Sequence, residues 1–230
     1  MRPGRDTEGQ PSEAMLMGLT FMSGMVDASS YLGIGEIFTA NMTGNLLILG
    51  FAASGTPQFS IVASAISVVS FFLGAALGGR LTVVIASRRR RLVVAMTVES
   101  VLNALAAAGS FLLPTSSVAH QYVLVAILAT SMGVRNTVVR RLKIPDITTT
   151  ALTGTLTKLA ADSVLGTGRR VRAGRRLTQI ISLVLGACTG GLILGHFGLP
   201  ATMVSMTGLI VVLTVAYVWY SAPARTDGKR

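Results

Sequence analysis

The stretch Glu36-Ile37-Phe38-Thr39-Ala40-Asn41-Met42-Thr43-Gly44-Asn45-Leu46 returns later in the chain as Asp146-Ile147-Thr148-Thr149-Thr150-Ala151-Leu152-Thr153-Gly154-Thr155-Leu156, with the acid, Ile, Thr, Thr-Gly and Leu in register. Upstream, Gly24-Met25-Val26-Asp27 aligns with Gly133-Val134-Arg135-Asn136 after one residue of slippage. Downstream, Ser70-Phe71-Phe72-Leu73-Gly74-Ala75-Ala76-Leu77-Gly78-Gly79 aligns with Ser182-Leu183-Val184-Leu185-Gly186-Ala187-Cys188-Thr189-Gly190-Gly191. Three matches in the same order imply an internal duplication. Small residues are common in membrane helices and would explain the Gly-Ala-Gly pattern alone, but not the Thr-Gly blocks as well.

The duplicated sequence is built for lipid. Of 230 residues, 51% are hydrophobic and 13% charged, against roughly a quarter charged in soluble domains, and the mean hydropathy is +0.65. Apolar runs cover about 14–34, 37–54, 60–86, 92–113, 119–139, 147–165, 177–198 and 200–221, most long enough to cross about 30 Å of hydrocarbon as helices. No alternating strand pattern supports a barrel. The polar start carrying Arg2 and Arg5 resembles a signal peptide, but the apolar run behind it is too long for a signal core, so a retained first helix is expected. The net charge of +11 sits in short clusters between apolar runs, as the positive-inside rule arranges it, and nucleic acid is not the expected partner. The single cysteine, Cys188, can form neither an intrachain disulfide nor a metal cluster, and a small packing role is expected for it. No metal or other cofactor is implied.

Charge placement decides the topology. The basic clusters are Arg88 to Arg91, Arg140-Arg141 with Lys143, Arg169 to Arg176, and Arg225, Lys229 and Arg230. If all eight runs crossed, Arg88 to Arg91 would face outward. If the motif segments 37–54 and 147–165 instead enter and leave on one side, every basic cluster lies in the cytoplasm with both termini. The predicted fold is an all-α polytopic membrane helix bundle of two inverted repeats, with six full crossings and two re-entrant or broken motif helices. Its parts are a polar tail 1–13, a first repeat 14–113, a second repeat 114–221 and a tail 222–230. Inverted repeats with discontinuous helices place solute sites near the bilayer midplane.

The candidate solute-binding residues follow from that geometry: Asp27, Thr39, Asn41, Thr43, Gly44 and Asn45 in the first half, and Asn136, Thr149, Thr153, Gly154 and Thr155 in the second. Gly44 and Gly154 can open a helix, and the hydroxyls and amides can bond a solute or the freed backbone. Half-helix N-termini at the midplane would favour an anion. Asp27 and Glu99 are candidates for proton coupling, since charged groups inside membrane segments are costly and mark function by default. Glu99 has a second reading, pairing with an interfacial arginine. Arg135 is expected to snorkel to the basic end, and Lys158 to pair with Asp162 one turn on. Gly74, Gly78, Gly79, Gly186, Gly190 and Gly191 read as packing positions, within the chain or in a homo-oligomer. His120 and His196 lie near segment ends, and neither a Gly-x-Ser-x-Gly elbow nor a His-Glu-x-x-His helix occurs, so an enzyme is not expected.

The run Gly24 to Leu32 with its Asp-Ala-x-Ser-Tyr-Leu, the block Phe38 to Asn45 and the later Thr153-Gly154-Thr155-Leu156 resemble the YoaK family, also labelled domain of unknown function 1275. The resemblance covers about Ala14 to Tyr220. It implies a bacterial multi-span inner-membrane protein of a kind often described as a permease, and no catalytic residue. The leading expectation is a secondary transporter for a small polar solute, anionic in one version, with a passive channel or a structural membrane protein as alternatives.

Overall fold

The computed structural model describes residues 11–56, 59–112, 117–142, 152–162 and 173–221, which are helical apart from short connections. α1 is Glu13–Ser30, extended by a π-helical turn Tyr31–Gly35; α2 is Met42–Ala53, α3 Ile61–Val84, α4 Arg88–Leu112, α5 Val118–Arg141, α6 Thr153–Ala161 and α7 Ala173–Tyr220. Serines start two of them: Ser12 Oγ accepts from the Met15 amide at 3.2 Å and Ser60 Oγ from that of Ala63 at 3.2 Å, satisfying donors that a helix N-terminus leaves open. Among the described residues four helices, α3, α4, α5 and α7, are long and apolar enough to cross a membrane. α7 is long enough to do so twice. Its 48 residues break at Gly198, whose φ of 79° suits glycine, and Pro200 follows in the first turn of the second arm, where a missing amide costs least. The arms are 173–197 and 199–220.

Side-chain neighbours fix the direction of each helix. α1 and the first α7 arm run parallel, since Phe21 lies on Gly186, Met25 on Gly190 and Gly33 against Leu194. The second arm returns along α1, with Gly33 beside Leu199, Ser29 bonding Met206 and Gly18 beside Leu213. Arg89, at the start of α4, reaches Ser221 and Val218 at the end of that arm. α5 runs antiparallel to α4, with Gly109 facing His120 and Arg135 bonding Glu99, and α3 runs parallel to α5, with Gly74 on Thr130 and Gly78 on Val134. The chain therefore passes up α1, down α3, up α4, down α5, then up and down the arms of α7. The two halves point in opposite directions, and Arg88 to Arg91, Arg140-Arg141 and Arg175-Arg176 gather at one end.

The interface between the halves is reciprocal. A Cβ on Gly24 would strike the backbone of Leu183, Gly186 and Ala187; one on Gly133 would strike that of Phe71, Gly74 and Ala75, the aligned residues of the other half. Gly186 meets Phe21 as Gly74 meets Thr130, and Gly190 meets Met25 as Gly78 meets Val134. Each half thus lends its first helix to the other half's third segment, at backbone-to-backbone range that only glycine permits.

Three expectations are corrected. Arg88 to Arg91 form the first turn of α4 rather than a loop before it. Arg135 does not snorkel: it is 0% exposed and paired inside the bundle. Cys188 lies on an exposed helix face rather than in a packed seam, because the close contacts of its helix fall on Gly186 and Gly190.

Candidate functional site

The motif segment of the first half is a broken helix that enters and leaves at the end away from the arginines. After the π turn, the backbone reverses at Glu36, whose φ of 57° places it in the left-handed region and whose amide closes on Tyr31 O at 3.0 Å. The chain then descends without helix to Asn41 and rises again as α2, whose 12 residues span about 18 Å, too short for a crossing. Asp27 sits eight positions before Gly35, about 12 Å below that end along the helix, near mid-depth.

Asp27 holds the break in place. Its Oδ1 accepts from the amides of Thr39 at 3.1 Å, Ala40 at 2.7 Å and Asn41 at 3.4 Å, which lie in the non-helical backbone ahead of α2 and would otherwise be unpaired away from water. Thr39 Oγ1 donates to Ser30 Oγ at 3.3 Å, and Ser30 in turn to Asp27 O at 3.2 Å. Asn45 satisfies Phe38 from the other side. Its Oδ1 accepts from Phe38 N at 2.9 Å, while its Nδ2 donates to Phe38 O and, at 2.8 Å, to Ser67 Oγ of α3; Ser67 also donates to Phe38 O at 2.9 Å. The Phe38 ring stacks on Tyr31 with centroids 4.7 Å apart. A Cβ on Gly44 would come within 2.7 Å of that ring, so the Phe38, Gly44 and Asn45 of the motif form one packing unit.

One turn before Asp27 on α1, Ser23 accepts from Arg135 Nη2. Arg135 Nη1 donates to Glu99 Oε1 of α4 at 2.7 Å, with both side chains fully buried. Arg135 thereby bridges α1 and α4, which are not close packing neighbours. Polar capacity is left over at this point: Glu99 Oε2, Arg135 Nε and both amide atoms of Asn103, one turn along α4 from Glu99, have no partner among the described residues. Buried polar groups are normally paired, so the cluster retains donors and acceptors for something else.

The remaining predicted residues are distributed differently. Thr43 is exposed, and Asn41 and Gly44 are half-buried. Asn136, the register partner of Asp27, is half-buried beside Arg135 on α5. In the second half Thr153 and Gly154 are exposed and Thr155 is buried, while Thr149 lies outside the described residues. α2 packs on α3 and α6 on α7, so the two Thr-Gly pairs do not form one shared seam. The C-terminal end of α6 is pinned at the arginine-rich end, where Arg176 Nη1 donates to Asp162 Oδ2 at 2.6 Å and to Lys158 O at 3.0 Å. Sequence inspection missed Ser23, Asn103, Ser67 and Gln179. The first two were signalled by spacing, since Ser23 and Asp27, and Glu99 and Asn103, each stand one turn apart in apolar helices. Gln179 is the register partner of Ser67; it is fully buried, with no partner for either amide atom among the described residues. Among those residues no cluster of three metal-ligating side chains occurs.

The family described as "Protein of unknown function (DUF1275)" matches residues 15–216, from α1 through the second arm of α7. The chain belongs to the DUF1275 family. Among curated proteins it is similar to the UPF0700 transmembrane protein YoaK of Bacillus subtilis (strain 168), with 31% identity over 153 residues, covering 64% of this chain and 65% of that protein. No solved structure matches. DUF1275 membership and the transmembrane relative agree with the apolar helices in placing the chain in a membrane, and the DUF1275 match takes in both repeats together with Asp27, Glu99 and Arg135.

Proposed function

We propose that this protein is a secondary transporter for a small polar solute, with its site at mid-depth between α1, α4 and α5, beside the N-terminus of α2. The observation that carries this reading is the placing of a broken, re-entrant helix next to a fully buried ion pair with spare polar atoms, at the interface of two inverted halves. Discontinuous helices at a repeat interface are how several transporter folds build a midplane site, and charged groups kept inside a bundle despite their cost mark solute or proton paths. Asp27 already occupies the Thr39, Ala40 and Asn41 amides just ahead of α2, and with Glu99 it sets two carboxylates against the one guanidinium of Arg135, a balance that disfavours an anionic solute. That balance suits exchange of a proton through Glu99 or Asp27 together with a neutral or cationic solute. In this proposal the arginine-rich end faces the cytoplasm of a bacterial inner membrane, with both termini there, and the protein performs no covalent chemistry.

The test is flux into proteoliposomes, screening small amines, amides, polyols and monocarboxylates with and without an imposed pH gradient. A transporter gives saturable uptake that responds to the gradient and loses that response in Glu99→Gln. Linear, gradient-independent flux would instead identify a passive channel. If no solute moves, and Asp27→Asn and Glu99→Gln change only abundance, the cluster is structural.

A further inference from the structure

At the arginine-rich end, away from the Asp27 and Glu99 cluster, a cavity of about 580 Å³ opens where the α3–α4 turn meets the end of α7. Val84, Val93, Val94 and Val218 supply apolar wall, and Arg89 and Arg90 supply charge. The two arginines differ. Arg89 ties α4 to α7, its Nε donating to Ser221 Oγ at 2.7 Å and its Nη2 to Val218 O at 2.9 Å. Arg90 is exposed at the mouth. Val83 and Val84, at the end of α3, are more than 80% exposed, as expected of side chains that meet acyl chains rather than protein.

We infer that this groove holds one anionic phospholipid, its phosphate against the Arg90 guanidinium and an acyl chain along Val84, Val93, Val94 and Val218. Charge selects the occupant. Arg88 to Arg91 give four adjacent positive residues, and basic groups at a membrane face attract anionic lipid at short range, with guanidinium favoured for phosphate. The chain's own residues 222–230 are a poor alternative, because they carry Arg225, Lys229 and Arg230 against a single Asp227 and would be repelled. A zwitterionic lipid would offer the same acyl contacts without the net charge. This inference does not depend on the transport reading.

The full chain, reconstituted in nanodiscs of equal phosphatidylglycerol and phosphatidylcholine, is extracted and its retained lipid measured by native mass spectrometry. The expected result is one retained phosphatidylglycerol, enriched about five-fold or more over phosphatidylcholine. Arg90→Gln should remove most of that enrichment, and Val94→Trp, which fills the groove, should reduce retention of both lipids. Arg80→Gln, on an exposed α3 site outside the cavity, should leave retention unchanged. Melting curves check that the variants stay folded, and Arg90→Gln tests the site even if Val94→Trp does not. Equal retention of the two lipids overturns the inference, as does an Arg80→Gln loss equal to that of Arg90→Gln, which would show diffuse surface attraction. Displacement of the lipid by millimolar inorganic phosphate overturns it in favour of a free-phosphate site. A large rise in retention after deletion of residues 222–230 overturns it in favour of the tail as occupant.

Discussion

At the scale of single residues, Arg135 departs furthest from its expected place. A guanidinium two turns from the end of an apolar helix can reach the interface, yet here it turns inward because Glu99 and Ser23 converge on it. Removing one partner of a buried pair leaves the other charge uncompensated, at a cost of about 3–5 kcal/mol. Glu99→Ala should therefore melt far below the wild type in detergent, and the double replacement Glu99→Met with Arg135→Met should recover most of the loss. A double variant no more stable than Glu99→Ala would mean that the pair contributes packing rather than charge balance. Asp27 invites the parallel test. Asp27→Ala strands three backbone amides, each worth about 1–3 kcal/mol when buried and unpaired, whereas Asp27→Asn keeps one acceptor oxygen and should lose roughly half as much. Equal melting temperatures for wild type and Asp27→Ala would show that the α2 break is held by other contacts.

At the scale of elements, the glycines sort into those that a neighbour's backbone touches, those that meet only side chains and those that nothing touches. Gly24 and Gly133 occupy matching positions in the two reciprocal interfaces, so Gly24→Leu and Gly133→Leu should each force a pair of helices apart, at about 1–3 kcal/mol or more. Gly79→Ala and Gly154→Ala meet open space and should be near neutral; thermal scans of the four variants separate the groups, and a Gly24→Leu protein as stable as Gly79→Ala would refute the seam. The packing glycines were legible in the sequence because the Ser70 to Gly79 and Ser182 to Gly191 blocks repeat them, although within the chain Gly79 meets open space and its counterpart Gly191 only the Leu32 side chain. The motif segment was legible as a break, and its individual roles were not. Thr43 has the chemistry of a ligand but faces outward, whereas Asn45, with equal claim from sequence, reaches back to Phe38 and across to Ser67. Which face of a 12-residue helix turns inward depends on the neighbouring helix, and α2 is too uniformly apolar for its own pattern to tell.

At the scale of the whole molecule, charge placement predicted the topology where segment length could not, since a motif run of 18 or so residues is nearly long enough to cross. The arginines could do so because their cost of translocation acts on every loop at once, while the ion pair inside the bundle stayed hidden because it depends on contacts between distant segments. The inverted arrangement makes a direct demand on exposure. α2 ends at Ala53 and is followed by Ser54 and Gly55, at the end of the bundle where the α1 extension also finishes, and α4 starts with Arg88 at the opposite end. Since Cys188 is the only cysteine and lies exposed, a Cys188→Ser background allows single cysteines at Ser54 and Arg88 to be labelled with an impermeant maleimide in intact and opened cells. One should label in intact cells and the other only after opening. Labelling of both from one side would remove the inversion, and with it the reason for the two motif segments to lie toward opposite faces; labelling from opposite sides leaves the parallel pairing of α1 with the first arm of α7 and of α3 with α5 as the geometry that any exchange of solute has to work through.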